Sequence, residues 1–394
     1  MQKSPYKLEA EAGNRKIQKP KQKGGLFMAV TIKDVAELAG VSPSTVSRTC
    51  KDHPSISRQT KEKVRLAMKK LGYEPNFQAS SLASQTSRII GIILPPSEKE
   101  VYENSFYLEA IRGISQYCNQ HQYINTVITG KNEEEILDVI RSMVKKGQAD
   151  GFILLYSREQ DPVADYLTEE GLLYVLVGKA YRNANQTIYV DNDNILAGRE
   201  AAEYLLNLGH EKIGCILPSN GLLFAADRKA GYFLALNEHQ IPVRQDYCAE
   251  MALYSREQEQ PLKKLLDRED RPTAVVVCDD ILALALETVC AGLGISIPED
   301  LSVISFNNSI FARLSSPHLT SVDINSFQLG IAAASQMLRH VENPGLLAAK
   351  VIVPHHIIER DSCRPLTASR TPSPEPQMPL MTSHTDDAAP GSPE

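Results

Sequence analysis

The residues best suited to a chemical task form a short hydroxyl-rich and basic run near the start of the chain. Ser42-Pro-Ser-Thr-Val-Ser-Arg48 carries four small hydroxyl side chains and one guanidinium within seven residues. Short hydroxyl side chains let a helix approach phosphates and base edges closely, and an arginine can bond a guanine or a phosphate. The run therefore indicates hydrogen bonding to DNA from one face of a helix.

Two short helices would have to position this run. Thr31 can cap the first helix, where Asp34 suits the positive helix start, and Gly40 supplies a tight turn. Ser42 can cap the second helix, with Pro43 at its first position, where no backbone donor is lost. A capped short helix, a glycine turn and a second capped helix predict a helix-turn-helix, whose second helix reads DNA.

A third amphipathic helix completes the predicted domain. Ser57 can cap it, and an apolar stripe at helical spacing follows, formed by Val64, Ala67, Met68 and Leu71. Lysines and arginines cover the rest of its surface. The alternative is a small helical bundle with solvated lysines, because each signal alone is common. The order of the signals favours DNA binding.

The charge of the chain is unevenly distributed. Its formal net charge is −6, which is unusual for a DNA-binding protein. Residues 1–88 nevertheless carry seventeen Lys or Arg and seven Asp or Glu, a balance of +10 that leaves −16 for the remainder. A basic DNA-binding head on an acidic body accounts for this asymmetry. Part of the positive charge lies in residues 1–27, so it supports the interpretation without deciding it.

The run Ile32-Lys-Asp-Val-Ala-Glu-Leu-Ala-Gly-Val-Ser-Pro-Ser-Thr-Val-Ser-Arg48 resembles the signature of the lactose-repressor/galactose-repressor family. The likeness extends from about Val30 to about Arg364. It implies that the second helix enters the major groove. The residues it places on the DNA side of the head are Thr31, Ser42, Pro43, Ser44, Thr45, Ser47, Arg48, His53 and Ser55.

The same resemblance implies a hinge that folds on DNA and inserts a leucine into the minor groove. The matching segment is Asn76-Phe-Gln-Ala-Ser-Ser-Leu-Ala-Ser84, with Leu82 as the candidate wedge. Small residues such as Ala79 allow two hinge helices to approach closely, and an apolar side chain between base steps kinks DNA. Asn76, Ala79 and Leu82 are therefore predicted DNA contacts. The alternative for Leu82 is an ordinary linker leucine.

Composition and resemblance together divide the chain into five segments. Residues 1–27 are rich in Lys, Gln and Gly, and residues 364–394 in Pro, Ser, Thr and Asp, which predicts disorder for both. Residues 28–75 form the predicted helix-turn-helix domain and residues 76–87 the hinge. Residues 88–363 form the predicted effector-binding and dimerisation domain, which has two subdomains.

Apolar strands alternate with amphipathic helices throughout residues 88–363. The strand-like runs are 89–94, 126–128, 151–155, 173–177, 212–217, 273–278 and 301–306. Such alternation implies an α/β architecture with parallel sheets covered on both faces, whose ligands bind beyond the carboxyl ends of the strands. The resemblance implies two periplasmic-binding-protein-like subdomains with a small molecule between them. They would be joined by crossings near 190–192, near 319–322 and at about Ala349.

Polar residues at three places are candidates for the effector site. Arg228 matches the family arginine that grips the effector from a helix of the C-terminal subdomain. Asp279 and Asn307 follow predicted strands, at positions that bond ligand hydroxyls in many family members. The usual Asn and Asp are exchanged here, which keeps both donors and acceptors for a polyol. The alternatives are a helix cap at Asp279-Asp280, a turn at Asn307-Asn308 and a surface ion pair at Arg228.

Three tyrosines are candidate stacking faces for a sugar ring: Tyr107, Tyr156 and Tyr254. Residues 305–325 look most like the maltose-operon regulators of low-GC Gram-positive bacteria, which implies a maltose-type oligosaccharide as effector. The resulting hypothesis is a homodimeric repressor on a pseudo-palindromic double-stranded operator. A second hypothesis is a carbon-catabolite regulator with a phosphorylated carrier protein as corepressor. The sequence leaves open whether sugar releases or recruits DNA, and whether two dimers pair.

Other classes of function find no support in the sequence. The nine histidines show no triad-like or metal-binding spacing, and neither a phosphate-binding loop nor a nucleophile elbow occurs, so we expect no catalysis, cofactor or metal. Seven scattered cysteines predict free thiols in a reducing compartment. No apolar run is long enough for a membrane span or a signal peptide. The sequence therefore predicts a cytoplasmic, nucleoid-associated protein with no membrane partner.

Overall fold

The computed structural model describes residues 30–50, 52–73, 86–97, 104–219, 221–251 and 259–366. The chain divides into two compact units, Met1–Gln85 and Thr86–Glu394. Within the described ranges, no helix is both long enough and apolar enough to cross a membrane.

The first unit contains three helices, α1 (Ile32–Ala39), α2 (Pro43–Cys50) and α3 (Arg58–Leu71). Their buried core consists of Val35, Ala36, Val46, Val64 and Ala67. Met68 and Leu71 pack against this core, as the helical spacing predicts. Leu38, also on α1, is 50% exposed, because it lies on the outer side of the helix.

Local hydrogen bonds fix the helix boundaries that the sequence predicts. The Asp34 carboxylate accepts from the backbone nitrogen and the hydroxyl of Thr31, both at 2.7 Å. These bonds lower the pKa of Asp34. The Thr45 backbone nitrogen donates to Ser42 Oγ at 3.2 Å, which satisfies one of the free donors at the start of α2. Gly40 ends α1 at a φ of +66°, a conformation in which a side chain would be strained.

The second unit alternates strands and helices along the chain. Their order is β1 (Ile89–Ile93), α4 (Ser105–Gln120), β2 (Ile124–Ile128), α5 (Glu133–Lys145), β3 (Gly151–Leu154), α6 (Pro162–Glu169), β4 (Tyr174–Val177), β5 (Ile188–Asp191), α7 (Asn194–Asn207), β6 (Ile213–Pro218), α8 (Leu223–Glu238), a 3-10 turn (Gln245–Tyr247), β7 (Cys248–Met251), α9 (Gln260–Leu266), β8 (Ala274–Val277), α10 (Asp280–Leu293), β9 (Ser302–Phe306), α11 (Ile310–Leu314), β10 (Thr320–Asp323), α12 (Ser326–Glu342), β11 (Lys350–Ile352) and β12 (His356–Ile358).

These strands form two six-stranded sheets. The first has the order β11-β5-β4-β3-β1-β2 with every pair parallel, and the second the order β12-β10-β9-β8-β6-β7 with only β12 antiparallel. We call the first sheet with α4–α6 and α12 the N-terminal subdomain, and the second sheet with α7–α11 the C-terminal subdomain. In β1, Ile90 and Ile92 pack into one core cluster and Ile93 into another, so both faces of the sheet are covered.

Three segments connect the two subdomains. The chain leaves the first sheet after β5, returns after β10 and leaves again between β11 and β12. Asn192 ties the three segments together, because its Nδ2 donates to the carbonyl oxygens of Ile324 (3.0 Å) and Val353 (2.8 Å). The first crossing lies where the sequence predicts it. The second lies at 324–325, just beyond the predicted 319–322, because residues 320–323 form β10 of the second sheet. The prediction of about Ala349 for the third is wrong by a few residues, because 350–352 first add an edge strand to the first sheet.

Candidate functional site

The predicted DNA-side residues of α2 lie on the surface of the first unit. Ser42, Pro43, Ser44 and Arg48 are exposed, whereas Thr45 and Ser47 are half-buried. The Ser42 hydroxyl lies 2.8 Å from Ser44 Oγ and 2.9 Å from Thr45 Oγ1, so these hydroxyls form one hydrogen-bonded group at the helix start. Such a group at the positive end of a helix suits a phosphate oxygen.

The remaining predicted DNA contacts fall into two groups. Thr31 is exposed at the start of α1, and His53 and Ser55 are exposed in the loop after α2. The ring Nδ1 of His53 lies 2.8 Å from Ser55 Oγ, which holds the two side chains together. Asn76, Ala79 and Leu82 lie outside the described residues.

The second unit holds a cavity of about 150 Å³ where strand ends of both subdomains meet. We call it the cleft. The residues that line it directly after strands are Pro95–Ser97, Leu155–Arg158, Val177–Lys179, Asn192, Asp279 and Asn307. One water needs about 10–15 Å³ measured in the same way, so the cleft has room for a ligand of many atoms. Its position beyond the carboxyl ends of parallel strands is the one that the sequence predicts.

Arg228 lies in the cleft at the start of α8 and is 3% exposed. Its Nε donates to Asn194 Oδ1 at 2.9 Å, and its Nη1 donates to the carbonyl oxygen of Cys278 at 2.8 Å. The guanidinium lies 4.1 Å from the ring centre of Phe306 and 4.6 Å from that of Phe224. These contacts fix the guanidinium in a buried position, which excludes a surface ion pair. They use two of its five N–H donors.

Helix packing sets the position of Arg228. Gly198 of α7 packs directly against its backbone, and a Cβ at Gly198 would overlap the Arg228 carbonyl oxygen. One turn further along α8, a Cβ at Gly231 would overlap the carbonyl oxygen of Ile195. The two glycines therefore allow α7 and α8 to approach closely. The sequence shows both glycines but does not indicate this role.

Asp279 and Asn307 are bonded directly to each other. Asn307 Nδ2 donates to Asp279 Oδ2 at 2.8 Å, while Asp279 Oδ1 accepts from the backbone nitrogen of Ile281 at 2.9 Å and caps α10. The carboxylate is 3% exposed, and burial raises its pKa to about 6, against the Ile281 bond that lowers it. Asn307 has a φ of +99°, a sparsely populated backbone region. Asp279 is thus both a helix cap and a cleft residue.

Their sequence neighbours have structural roles instead. Asp280 is fully buried and accepts from the hydroxyls of Ser305 (2.6 Å) and Ser321 (2.9 Å). Asn308 Nδ2 donates to Asp323 Oδ2 at 2.8 Å, and its Oδ1 accepts from Arg360. Neither residue lines the cleft. Asn308 therefore has the structural role of a turn residue, whereas Asn307 belongs to the candidate effector site.

A second buried carboxylate lies at the first crossing. Asp191 Oδ1 accepts from the backbone nitrogen of Asn192 (2.8 Å) and from Asn194 Nδ2 (3.0 Å). Burial raises the pKa of Asp191 to about 7, while the Asn192 bond and the charge of Arg228 lower it. Asn194 therefore links Asp191 to Arg228 through its two amide atoms. Sequence reasoning missed both residues, because Asp191-Asn192 indicated only a crossing.

Aromatic side chains supply apolar faces to the cleft. Tyr107 and Phe106 line it from the start of α4, with their rings edge-on at 5.2 Å, and Phe224 lines it from α8. Tyr156 also lines it, although most of its ring packs in the core beside α5 and α6. The hydroxyl of Tyr156 is buried without a hydrogen-bond partner among the described residues. Tyr254 lies outside the described residues.

Polar contacts bridge the cleft between the two subdomains. Asn104, which caps α4, donates from Nδ2 to Asp279 Oδ2 at 3.1 Å. Lys179 pairs with Asp227 of α8 at 3.1 Å on the half-exposed rim. These side chains belong to a closed cleft. Neither pair has a sequence signal, because partners so far apart in the chain meet only through the fold.

The described residues contain no group of three or more His, Cys, Asp or Glu that could hold a metal ion. The residues that line the cleft offer hydrogen-bond donors, acceptors and aromatic faces, groups that can bind a molecule with many hydroxyls.

Two family descriptions match the chain. Residues 31–76 match bacterial regulatory proteins of the lacI family, and residues 202–363 match the periplasmic binding protein-like domain. The chain is 36% identical over 338 residues to the HTH-type transcriptional regulator MalR of Streptococcus pneumoniae, which covers 84% of this chain and 100% of that protein. It is 30% identical over 343 residues to catabolite control protein A of Priestia megaterium, which covers 86% of this chain and 100% of that protein.

A solved structure shares the fold of the second unit. A transcriptional regulator LacI from Bacillus cereus subsp. cytotoxis has 38% identity and a TM-score of 0.68, covering 71% of this chain and 99% of that one. The two predictions of an α/β effector domain behind a helix-turn-helix and of a regulator rather than an enzyme are confirmed. The chain belongs to the LacI family of bacterial regulatory proteins and is a DNA-binding transcriptional repressor.

Proposed function

We propose that this repressor controls maltose or maltodextrin utilisation genes and leaves a pseudo-palindromic operator when a maltose-type oligosaccharide binds in the cleft. It would act in the cytoplasm as a homodimer, with residues 28–75 as DNA head, 76–87 as hinge and 88–363 as effector domain. The residues proposed to meet the sugar are Arg228, Asp279, Asn307, Tyr107, Tyr156 and Tyr254. The similarity to MalR supports the choice of sugar.

The observation that carries the proposal is the charge balance of the cleft, in which the cationic side chains are already paired with carboxylates. Arg158 is paired with Glu133 and Asp161, and Lys179 with Asp227. The third cation, Arg228, faces the two buried carboxylates of Asp191 and Asp279. The cleft therefore has no excess positive charge with which to bind an anion. A neutral ligand rich in hydroxyls fits this arrangement better than a sugar phosphate or a sugar acid.

Cleft closure offers a route from sugar to DNA. A sugar held by Arg228 and Asp279 on one side and by the α4 aromatics on the other would favour the closed arrangement of the subdomains. We propose that closure separates the paired hinge segments of the dimer and so weakens operator binding. Coupling of this kind is typically about 1–3 kcal/mol per effector.

The first test is operator binding by the purified full chain, measured by fluorescence anisotropy on a pseudo-palindromic fragment from its own upstream region. Titrations at one fixed salt concentration, with and without maltose or maltotriose, should show affinity falling by about 5- to 150-fold. Arg48→Ala should lose operator affinity and keep sugar binding. Specific operator binding that ignores both sugars would contradict the effector assignment and leave the DNA assignment intact.

The hinge claim has its own test. Leu82→Ala should weaken operator affinity while leaving sugar affinity unchanged, because the leucine is proposed to enter the minor groove. The neighbouring Ser84→Ala, which removes no apolar wedge and keeps the tendency of the hinge to form a helix, serves as the control. Unchanged operator affinity in Leu82→Ala would refute the wedge.

A second candidate function rests on the similarity to catabolite control protein A. In this alternative a phosphorylated carrier protein is a corepressor that tightens operator binding. Adding such a carrier to the same titration separates the two, since the corepressor raises operator affinity and an inducer sugar lowers it.

A further inference from the structure

A second pocket, of about 280 Å³, lies in the N-terminal subdomain beside the cleft. It is bounded by the ends of β3 and β4, by the outer side of α6 and by residues 180–183. Apart from Tyr156 and Arg158, which also line the cleft, the proposed function uses none of these residues. We call this space the side pocket.

The side pocket and the cleft share one wall. Tyr156, Ser157 and Arg158 line both spaces. The segment after β4 continues the shared boundary, since Gly178 and Lys179 line the cleft while Ala180 to Asn183 line the side pocket. Gly178 and Tyr181 are three residues apart, so at most about 10 Å of chain separates the two spaces. We therefore expect a linear oligosaccharide in the cleft to be able to reach the side pocket.

The side pocket presents the groups that bind saccharides. Tyr181 is 46% exposed and offers a ring face, beside the Arg182 guanidinium at 5.8 Å. The hydroxyls of Thr168 and Tyr174 lie 3.0 Å apart, and Glu169 adds an exposed carboxylate. The buried Tyr156 hydroxyl, unpartnered among the described residues, belongs to the shared wall.

An anion has little to bind there. Arg158, the half-buried cation of the shared wall, is neutralised by Glu133 at 2.6 Å and Asp161 at 2.7 Å. Arg182 remains as an exposed cation, and the carboxylates of Asp165 and Glu169 oppose it. The balance favours a neutral ligand with many hydroxyls.

We propose that the side pocket is a second saccharide subsite, which takes the sugar units of an oligosaccharide that extend beyond those in the cleft. This inference rests on the proposed function, because it needs a sugar in the cleft. It makes effector affinity depend on chain length. Two hydrogen bonds of ordinary net strength would raise the affinity of a longer maltodextrin over maltose by about tenfold.

Isothermal titration calorimetry of the full chain with maltose, maltotriose and maltotetraose tests the inference. The double variant Tyr181→Ala, Glu169→Ala should reduce the chain-length gain from about tenfold to under about twofold, with maltose affinity unchanged. Glu170→Ala is the matched control, because Glu170 is the next residue, is also exposed and does not line the side pocket. It should keep the full gain.

The possible results distinguish a failure of the side-pocket subsite from a failure of the proposed function. Equal affinity for all three sugars in the unchanged protein, or a gain that survives in the double variant, overturns the subsite while leaving a maltose-responsive repressor. No binding of any of the three sugars overturns the proposed effector and the subsite with it. Loss of maltose affinity in the double variant also counts against the subsite, because it would mean that these residues serve the cleft.

Discussion

The two sides of the cleft are built differently. On the C-terminal side, Arg228 and Asp279 are buried and Asn307 is half-buried. Hydrogen bonds hold these side chains in place, because Arg228 donates to Asn194 and to the carbonyl oxygen of Cys278, and Asn307 donates to Asp279. On the N-terminal side, the half-buried ring of Phe106 lines the cleft, and the half-exposed ammonium of Lys179 reaches across the rim. The difference indicates that one side fixes the orientation of a ligand, whereas the other side closes over it.

Among these variants, Arg228→Ala should have the largest effect on sugar binding. A small effect would contradict the proposed difference between the two sides of the cleft. The substitution removes a charged donor whose partners on the rigid side remain buried, so we expect sugar affinity to fall by about 100-fold or more. Calorimetry measures this directly. Arg199→Ala on the surface of α7 is the matched control and should bind sugar normally. A loss smaller than threefold in Arg228→Ala would contradict the rigid-side assignment.

Two glycine variants test the same difference between the subdomains. Each introduces a methyl group between two closely packed helices, one pair in each subdomain. Gly198→Ala would push a methyl group into the Arg228 backbone, and Gly113→Ala would push one into the Phe327 carbonyl oxygen between α4 and α12. Each should cost about 1–3 kcal/mol of unfolding free energy, because backbone rather than a flexible side chain is in the way. Urea denaturation measures this cost.

The sugar affinities of the two glycine variants should then diverge. Gly198→Ala moves the arginine itself and should weaken sugar binding by about tenfold, whereas Gly113→Ala should change it by less than about threefold. Equal losses of affinity would show that the two sides position the ligand equally.

The two buried carboxylates extend the comparison to pH. Between about 4 and its folded pKa of about 7, Asp191 keeps its proton in the folded state and has lost it in the unfolded state. The folded state thus binds more protons, so stability falls as pH rises through this window and is constant above it. For Asp279 the same fall ends near pH 6.

Asp191→Asn should therefore stabilise the protein at pH 8 by about 4 kcal/mol and leave it nearly unchanged at pH 4. Thermal unfolding at both pH values measures the difference. Asp279→Asn is the comparison variant, and its effect should already be complete at pH 6.5. If the stability of Asp191→Asn changed with pH between 5 and 8 in the same way as that of the unchanged protein, Asp191 would not be the titrating group.

The sequence identifies the rigid side better than the closing side, for a physical reason. Asp279 and Asn307 directly follow apolar strands, so strand topology alone brings them to one edge of a sheet. Asn104 and the Lys179–Asp227 pair depend on how two subdomains approach, which no local pattern encodes. Short edge strands such as β11 and β12 were missed for a similar reason, because three residues carry too little periodicity.

Lys179→Ala probes the closing side and should have the smallest effect. Its bond to Asp227 is half-exposed, and such ion pairs contribute about 0.2–1 kcal/mol, so sugar affinity should fall by about two- to fivefold. Because the pair is accessible to salt, the difference from the unchanged protein should shrink in 1 M salt, where charges are screened within about 3 Å. Lys229→Ala is the matched control, because Lys229 lies on α8 near Asp227 and pairs with Glu250 of β7 outside the cleft. A fall of 100-fold would instead make Lys179 a direct sugar ligand, and the N-terminal side would then share the task of orientation.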